Sequence, residues 1–201
     1  MSTSQEKKTI TIVSGLPRSG TSMMMAMLEA GGMELVVDHL RKADEDNPKG
    51  YYELENVKAL DKDASWLADS ENKAVKVISM LLYQLPSKFH YKIVFMQRLL
   101  DEVLASQKKM LERRGEPLPD KAMDLVLKNK FDVHLRKTHT FIEKQENMDA
   151  IYVRYREIIN HPLENAEKIN RFLGGRLDVE KMAGVVDKSL YRQRKKYLNL
   201  N

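Results

Sequence analysis

The chain has 201 residues, 42% of them hydrophobic, enough for one core that buries about two thirds of the unfolded surface, so a single domain over residues 1–201 is expected. With no cysteine there are no disulfides or thiolate metal sites, and the five histidines, His39, His90, His134, His139 and His161, lack the spacing of a ligand set. A net charge of +5 and a pI near 9.2 favour an anionic partner, while the lack of any run approaching roughly 18 apolar residues, or of an apolar signal segment behind the polar N-terminus, predicts a cytoplasmic protein with no membrane span.

Residues 8–14 are rich in β-branched side chains and stop at a cluster of Gly, Pro and Ser, which predicts a strand. Residues 20–31 then read as a helix. Met23, Met24, Met25, Ala26, Met27 and Leu28 favour helix and leave no polar face, as a helix buried against a sheet requires. Residues 38–50 mix acids with Arg41 and Lys42 and end in Asn47-Pro48-Lys49-Gly50, a turn, so they are read as a mobile loop before a helix over 53–68. Short β-rich runs recur at 74–78, 92–97 and 150–154. Residues 100–113 are amphipathic, Gly115-Glu-Pro-Leu-Pro119 breaks the pattern, and 120–146 resumes as a long polar helix. This alternation predicts a three-layer α/β P-loop domain, a central parallel sheet flanked by helices, with ligands at the carboxyl ends of the strands. The C-terminal basic run, Lys188, Arg192, Arg194, Lys195 and Lys196, can hold phosphate or nucleic acid, or can be a solvated terminus.

Ser14-Gly15-Leu16-Pro17-Arg18-Ser19-Gly20-Thr21-Ser22 joins the first strand to the first helix. Its glycines let backbone N–H groups turn inward, and the helix N-terminus adds partial positive charge, which makes an anion cradle. The spacing is that of a Walker loop, but Thr21 stands where a nucleoside triphosphatase has its lysine, and Arg18 supplies the cation three residues earlier. That departure points away from ATP hydrolysis.

Pro17-Arg18-Ser19-Gly20-Thr21-Ser22 resembles the 5'-phosphosulfate loop of sulfotransferases that use 3'-phosphoadenosine 5'-phosphosulfate (PAPS). Arg98 followed eight residues later by Ser106 resembles the family's 3'-phosphate motif, and 153–162 resembles its strand-to-helix segment, with Tyr155 at the position that contacts adenine. More loosely, 190–195 is similar to the basic loop that closes over the 3'-phosphate, which brings in Arg192 and Arg194. The resemblance runs from Thr9 to about Lys195, with the motifs in the family's order.

The resemblance implies transfer of a sulfuryl group from PAPS to a hydroxyl or amine of a small-molecule, carbohydrate or lipid-type acceptor. The product would be 3'-phosphoadenosine 5'-phosphate (PAP), with no metal and no nucleic acid involved. Arg18 would stabilise the leaving phosphate, Lys76 would assist at the bridging oxygen, and Thr21 and Ser22 would donate to the 5'-phosphate. The cytosolic members carry Lys-Thr-His after the second strand, with histidine as base. The matching residues here are Lys76-Val77-Ile78, and Lys137-Thr138-His139 falls in a helical pattern and reads as surface helix. Pro48-Lys49-Gly50-Tyr51-Tyr52-Glu53 resembles a segment of bacterial, carbohydrate-type and polyketide-type members in which a glutamate replaces that histidine. Glu53 is therefore the first candidate for the base, and His39 the second. Met23 replaces an aromatic residue that packs on adenine. Two other readings stand beside this one: a P-loop small-molecule kinase, which would need a loop lysine and a magnesium-binding acid, and a noncatalytic module that binds nucleotide or nucleic acid through the basic tail.

Overall fold

The computed structural model describes residues 8–38, 40–45, 47 and 50–191. Its centre is a sheet of four parallel strands, β1 (Thr9–Gly15), β2 (Ala74–Lys76), β3 (His90–Gln97) and β4 (Met148–Arg154), in the order β2-β1-β3-β4. Around it run α1 (Thr21–Ala30), α2 (Leu100–Arg113), α3 (Lys121–Glu143), α4 (Tyr155–Asn160), α5 (Pro162–Leu173) and α6 (Val179–Gly184). The predicted three-layer arrangement is the one observed.

Strand periodicity sorts the core into two faces. Val13, Val94, Met96 and Val153 pack with Met24, Met25, Met27 and Leu28 of α1, Ile158 and Ile159 of α4, Ile169 of α5 and Met182 of α6. Their neighbours Ile10, Ile12, Val75, Val77, Ile93 and Phe95 point the other way, onto Val57, Leu60, Leu67, Leu82 and Ile142 of α3. Both faces are covered, so the strands read as nearly continuous apolar runs.

Two expectations need correction. Residues 53–68 do not form one helix: two short 3₁₀ turns, Glu55–Ala59 and Ser65–Asp69, replace it. The Asp63 carboxylate accepts the Ser65 backbone N–H at 2.8 Å, a local turn bond that competes with helix continuation. Residues 137–139 do lie in α3, but only Lys137 is exposed. Thr138 is fully buried, and the His139 ring packs edge-on to Phe95 at 5.2 Å, facing the sheet.

Chain order reverses between β1 and β3: β2 lies on one side of β1, and β3 and β4 lie on the other. The crevice outside the carboxyl ends at such a reversal is where doubly wound sheets bind ligands. Gly15 is paired with Met96 in the ladder, so the loop after β1 and the segment after β3 leave the sheet side by side.

Candidate active site

A cavity of about 620 Å³ opens at this reversal, lined among others by Pro17, Arg18, Glu53, Lys76, Arg98 and Tyr155. The loop after β1 fits its surroundings closely. Gly15 has φ of 142°, and a Cβ there would lie 2.5 Å from Ser19 Oγ and 2.6 Å from the Met96 carbonyl oxygen. Gly20, at φ 104°, caps α1 with no side-chain hydrogen bond, and a Cβ on it would collide with the Tyr155 ring. The first N–H groups of an α-helix have no intrahelical carbonyl to bond, and the residues that carry them in α1, Thr21 and Ser22, line the cavity. Ser19 Oγ is buried with no hydrogen-bond partner among the described residues. An uncapped helix end and an orphaned hydroxyl suit an anion such as phosphate.

The structure brings the loop together with the arginine and serine after β3. Arg18, held at φ 72°, donates from Nε to Ser106 Oγ at 3.0 Å, and Arg98 Nη1 donates to the Arg18 carbonyl at 3.1 Å. The Arg98 guanidinium lies 4.6 Å from the centre of the Tyr155 ring. Arg98 also donates from Nε to Glu102 at 3.0 Å, in an ion pair whose side chains are only 8% and 4% exposed. The Arg98–Glu102 ion pair at the start of α2 is therefore buried, not a surface pair. The Glu102 carboxylate takes a second bond, 2.6 Å, from the Tyr191 hydroxyl. Burial first, and then that bond, push the Tyr191 phenol up to about 12.

At the other end of the cavity Lys76 closes β2 with its side chain 6% exposed. It donates to the Tyr51 carbonyl and lies 3.3 Å from Glu53 Oε1. Burial pulls its ammonium below the ordinary lysine value, and the Glu53 carboxylate works against that. Glu53 is one-third exposed and is approached from the second side by Arg41 Nη1 at 3.3 Å. Its surroundings are thus two cations. The Arg41 guanidinium also stacks 3.3 Å from the centre of the Tyr51 ring, whose hydroxyl donates to Asp44 at 2.8 Å. The Ser22 hydroxyl donates to the Tyr51 carbonyl at 3.2 Å and accepts from Asn47 Nδ2 at 2.8 Å. One carbonyl, that of Tyr51, therefore ties β2 to the start of α1.

Pro17, Arg18, Ser19, Gly20, Thr21, Ser22, Arg98, Ser106, Tyr155, Glu53 and Lys76 all gather at this crevice. His39, Arg192 and Arg194 lie outside the described residues. Glu102, Tyr191 and Arg41 were not singled out from sequence. Glu102 does stand four residues after Arg98, at ion-pair spacing, but nothing local announces Tyr191, 89 residues further along the chain from its partner.

The sequence profile of the sulfotransferase domain matches residues 8–199. No curated protein matches by sequence. Among solved structures the chain is similar to the sulfotransferase domain from the curacin biosynthetic pathway, at 15% identity over 96% of this chain and 94% of that one, with a TM-score of 0.57. It is also similar to sulfotransferase STF1 from Mycobacterium tuberculosis H37Rv (16% identity, 90% and 71% covered, TM-score 0.59) and to mouse sulfotransferase SULT7A1 complexed with PAP (13%, 96% and 69%, TM-score 0.51). At such identities the structural likeness speaks for the fold; the profile match spans nearly the whole chain, and with the loop of residues 17–22 and the Arg98–Ser106 pair meeting in one crevice, the chain belongs to the sulfotransferase family.

Proposed function

We propose that the protein moves the sulfuryl group of PAPS to a hydroxyl or amine of a small-molecule, carbohydrate or lipid-type acceptor and releases PAP, residues 1–201 working as one domain. The observation that carries this reading is the convergence of Arg18, Arg98, Ser106 and Tyr155 from three distant segments, with Arg18 and Ser106 bonded at 3.0 Å and Arg98 on the Arg18 carbonyl at 3.1 Å. Two cationic forks and a hydroxyl beside an aromatic face suit a nucleotide with two phosphate positions.

In the reaction the acceptor oxygen or nitrogen forms a bond to sulfur as the bond between sulfur and the 5'-phosphate oxygen breaks. The acceptor proton passes to Glu53, and the electron pair left on the phosphate is stabilised by Arg18 and Lys76. Thr21 and Ser22 hold the 5'-phosphate through backbone N–H groups; the Ser22 hydroxyl proton is already committed to the Tyr51 carbonyl. Pro17, Ser19 and Gly20 shape the loop, Arg98 and Ser106 take the 3'-phosphate, and Tyr155 meets the adenine. His39 is the second choice for the base, and Arg192 and Arg194 complete the phosphate site. No metal is assigned a part.

Thermal unfolding with PAP, 5'-AMP and ATP–Mg side by side tests the donor. A ligand at a hundred times its dissociation constant stabilises by about 2.7 kcal/mol, and a rise selective for PAP is expected. A rise confined to ATP with magnesium would transfer the site to a kinase, and steeply salt-dependent oligonucleotide binding without a PAP response would transfer it to a nucleic-acid module.

A further inference from the structure

The Arg98 corner contains more machinery than a phosphate needs for contact. Arg98 leaves β3 in a short connector and could adopt many rotamers, yet at least three groups among the described residues fix it. Its Nε is held by Glu102 at 3.0 Å, its Nη1 by the Arg18 carbonyl at 3.1 Å, and its carbon face lies over Tyr155 at 4.6 Å. Glu102 is in turn held at both oxygens: Oε2 takes the Arg98 bond, and Oε1 takes the Tyr191 hydroxyl at 2.6 Å. The Tyr191 ring packs edge-on to Tyr155 at 5.3 Å and lies 5.5 Å from the Arg98 guanidinium. A carboxylate gripped at one oxygen can rotate about its last bonds, whereas one gripped at both cannot without breaking a charged hydrogen bond.

Resting on the PAPS reading, we infer that Glu102 and Tyr191 are positioning residues for the donor: the Tyr191 hydroxyl locks the Glu102 carboxylate, and Glu102 orients the Arg98 fork, so that the site selects nucleotides carrying a 3'-phosphate. Neither residue needs to touch the nucleotide. The arrangement also has an electrostatic cost, because a buried carboxylate beside Arg98 opposes the binding of a phosphate anion. A site built for tight phosphate binding by charge alone would do without Glu102. In a site built for geometry, Glu102 sets how the bidentate arginine meets the phosphate. Orientation and charge compensation therefore predict opposite signs when Glu102 is neutralised.

The test is calorimetric titration of the full chain with PAP and with 5'-AMP, for the wild type and for Tyr191→Phe and Glu102→Gln. Tyr191→Phe keeps the ring contacts and removes only the hydroxyl. It should weaken PAP by fivefold or more and leave 5'-AMP within twofold, so that the preference for the 3'-phosphorylated nucleotide shrinks. Glu102→Gln should change the PAP-to-AMP ratio in the same direction, and kcat at saturating PAPS should stay near the wild-type value in both variants. Equal losses for the two nucleotides would mean a purely structural role, and a Glu102→Gln protein that binds PAP more tightly would mean that Glu102 merely offsets charge; either result overturns the inference while leaving the donor reading intact. A wild type with no preference for PAP over 5'-AMP overturns the donor reading itself, and the inference falls with it.

Discussion

Glu53 and Lys76 are the pair assigned to the base and to the leaving-group cation in the proposed reaction, and their residue-level setting decides what each can do. Lys76 is nearly buried at the end of β2, is bonded to the Tyr51 carbonyl, and has one carboxylate, Glu53, at 3.3 Å. A buried ammonium costs free energy unless it is paired, and here the pairing partner is also the proposed base. In the proposed reaction, an acceptor proton reaching Glu53 would remove the carboxylate's charge, and Lys76 would lose its counterion at the moment that negative charge grows on the leaving phosphate. Proton uptake by Glu53 would thus strengthen the pull of Lys76 on the leaving phosphate. Glu53→Gln keeps the shape of the side chain and removes the proton acceptor. It should lower kcat by about 10²- to 10⁴-fold, the usual range for a general base, with PAP affinity within a few-fold of wild type. Single-turnover kinetics alongside PAP titration separates the two, and undiminished turnover would move the base to His39.

At the scale of elements, the strands and the loop after β1 were legible because their signals are local. A β-branched run that stops at Gly15-Leu16-Pro17 and an apolar run over 23–28 need no distant partner to be read. The elements that were misread depend on contacts that local sequence does not carry. Residues 53–68 place Val57, Leu60 and Leu67 at near-helical spacing and bury all three, yet the Asp63 turn bond splits the segment. In α3, Leu135, Thr138, His139 and Ile142 share one face by helical spacing, and a polar pair in that row hid the fact that it faces the sheet. The break before α3 was read correctly, and its chemistry is specific: the Asp120 carboxylate accepts the Met123 N–H at 2.7 Å and caps the helix. Asp120→Ala should cost about 1 kcal/mol of stability, visible as a lower urea midpoint at unchanged slope, without altering PAP affinity, since α3 covers the face of the sheet away from α1.

At the scale of the whole molecule, the two faces of the sheet have different tasks. One carries α1, α4, α5 and α6; the other is closed by α3, with His134 and His139 in the seam. The His134 ring is hydrogen-bonded to the buried Ser79 hydroxyl at 2.9 Å and stands 6.4 Å from the Tyr83 ring. His139 is wedged between Phe95 and Tyr152, with Nε2 lacking a partner among the described residues. Burial lowers both imidazoles below the ordinary histidine value; for His139 the charge of Glu143 acts in the opposite direction. The sign of the pH dependence follows from proton counting. Near the ordinary value of about 6.5 the unfolded chain takes up protons at these rings while the folded chain does not, so acid favours the unfolded state. The stability contributed by keeping them neutral is complete above about 6.5 and is lost as the pH falls through their lowered folded values. Urea unfolding at steps between pH 7.5 and 5, above the range where ordinary carboxylates titrate, should therefore give a midpoint that falls toward acid. The double substitution His134→Gln and His139→Gln, in which the first glutamine can keep the bond to Ser79, should flatten that slope. If the variant lost stability toward pH 5 as steeply as the wild type, the acid sensitivity would have to come from groups outside this seam.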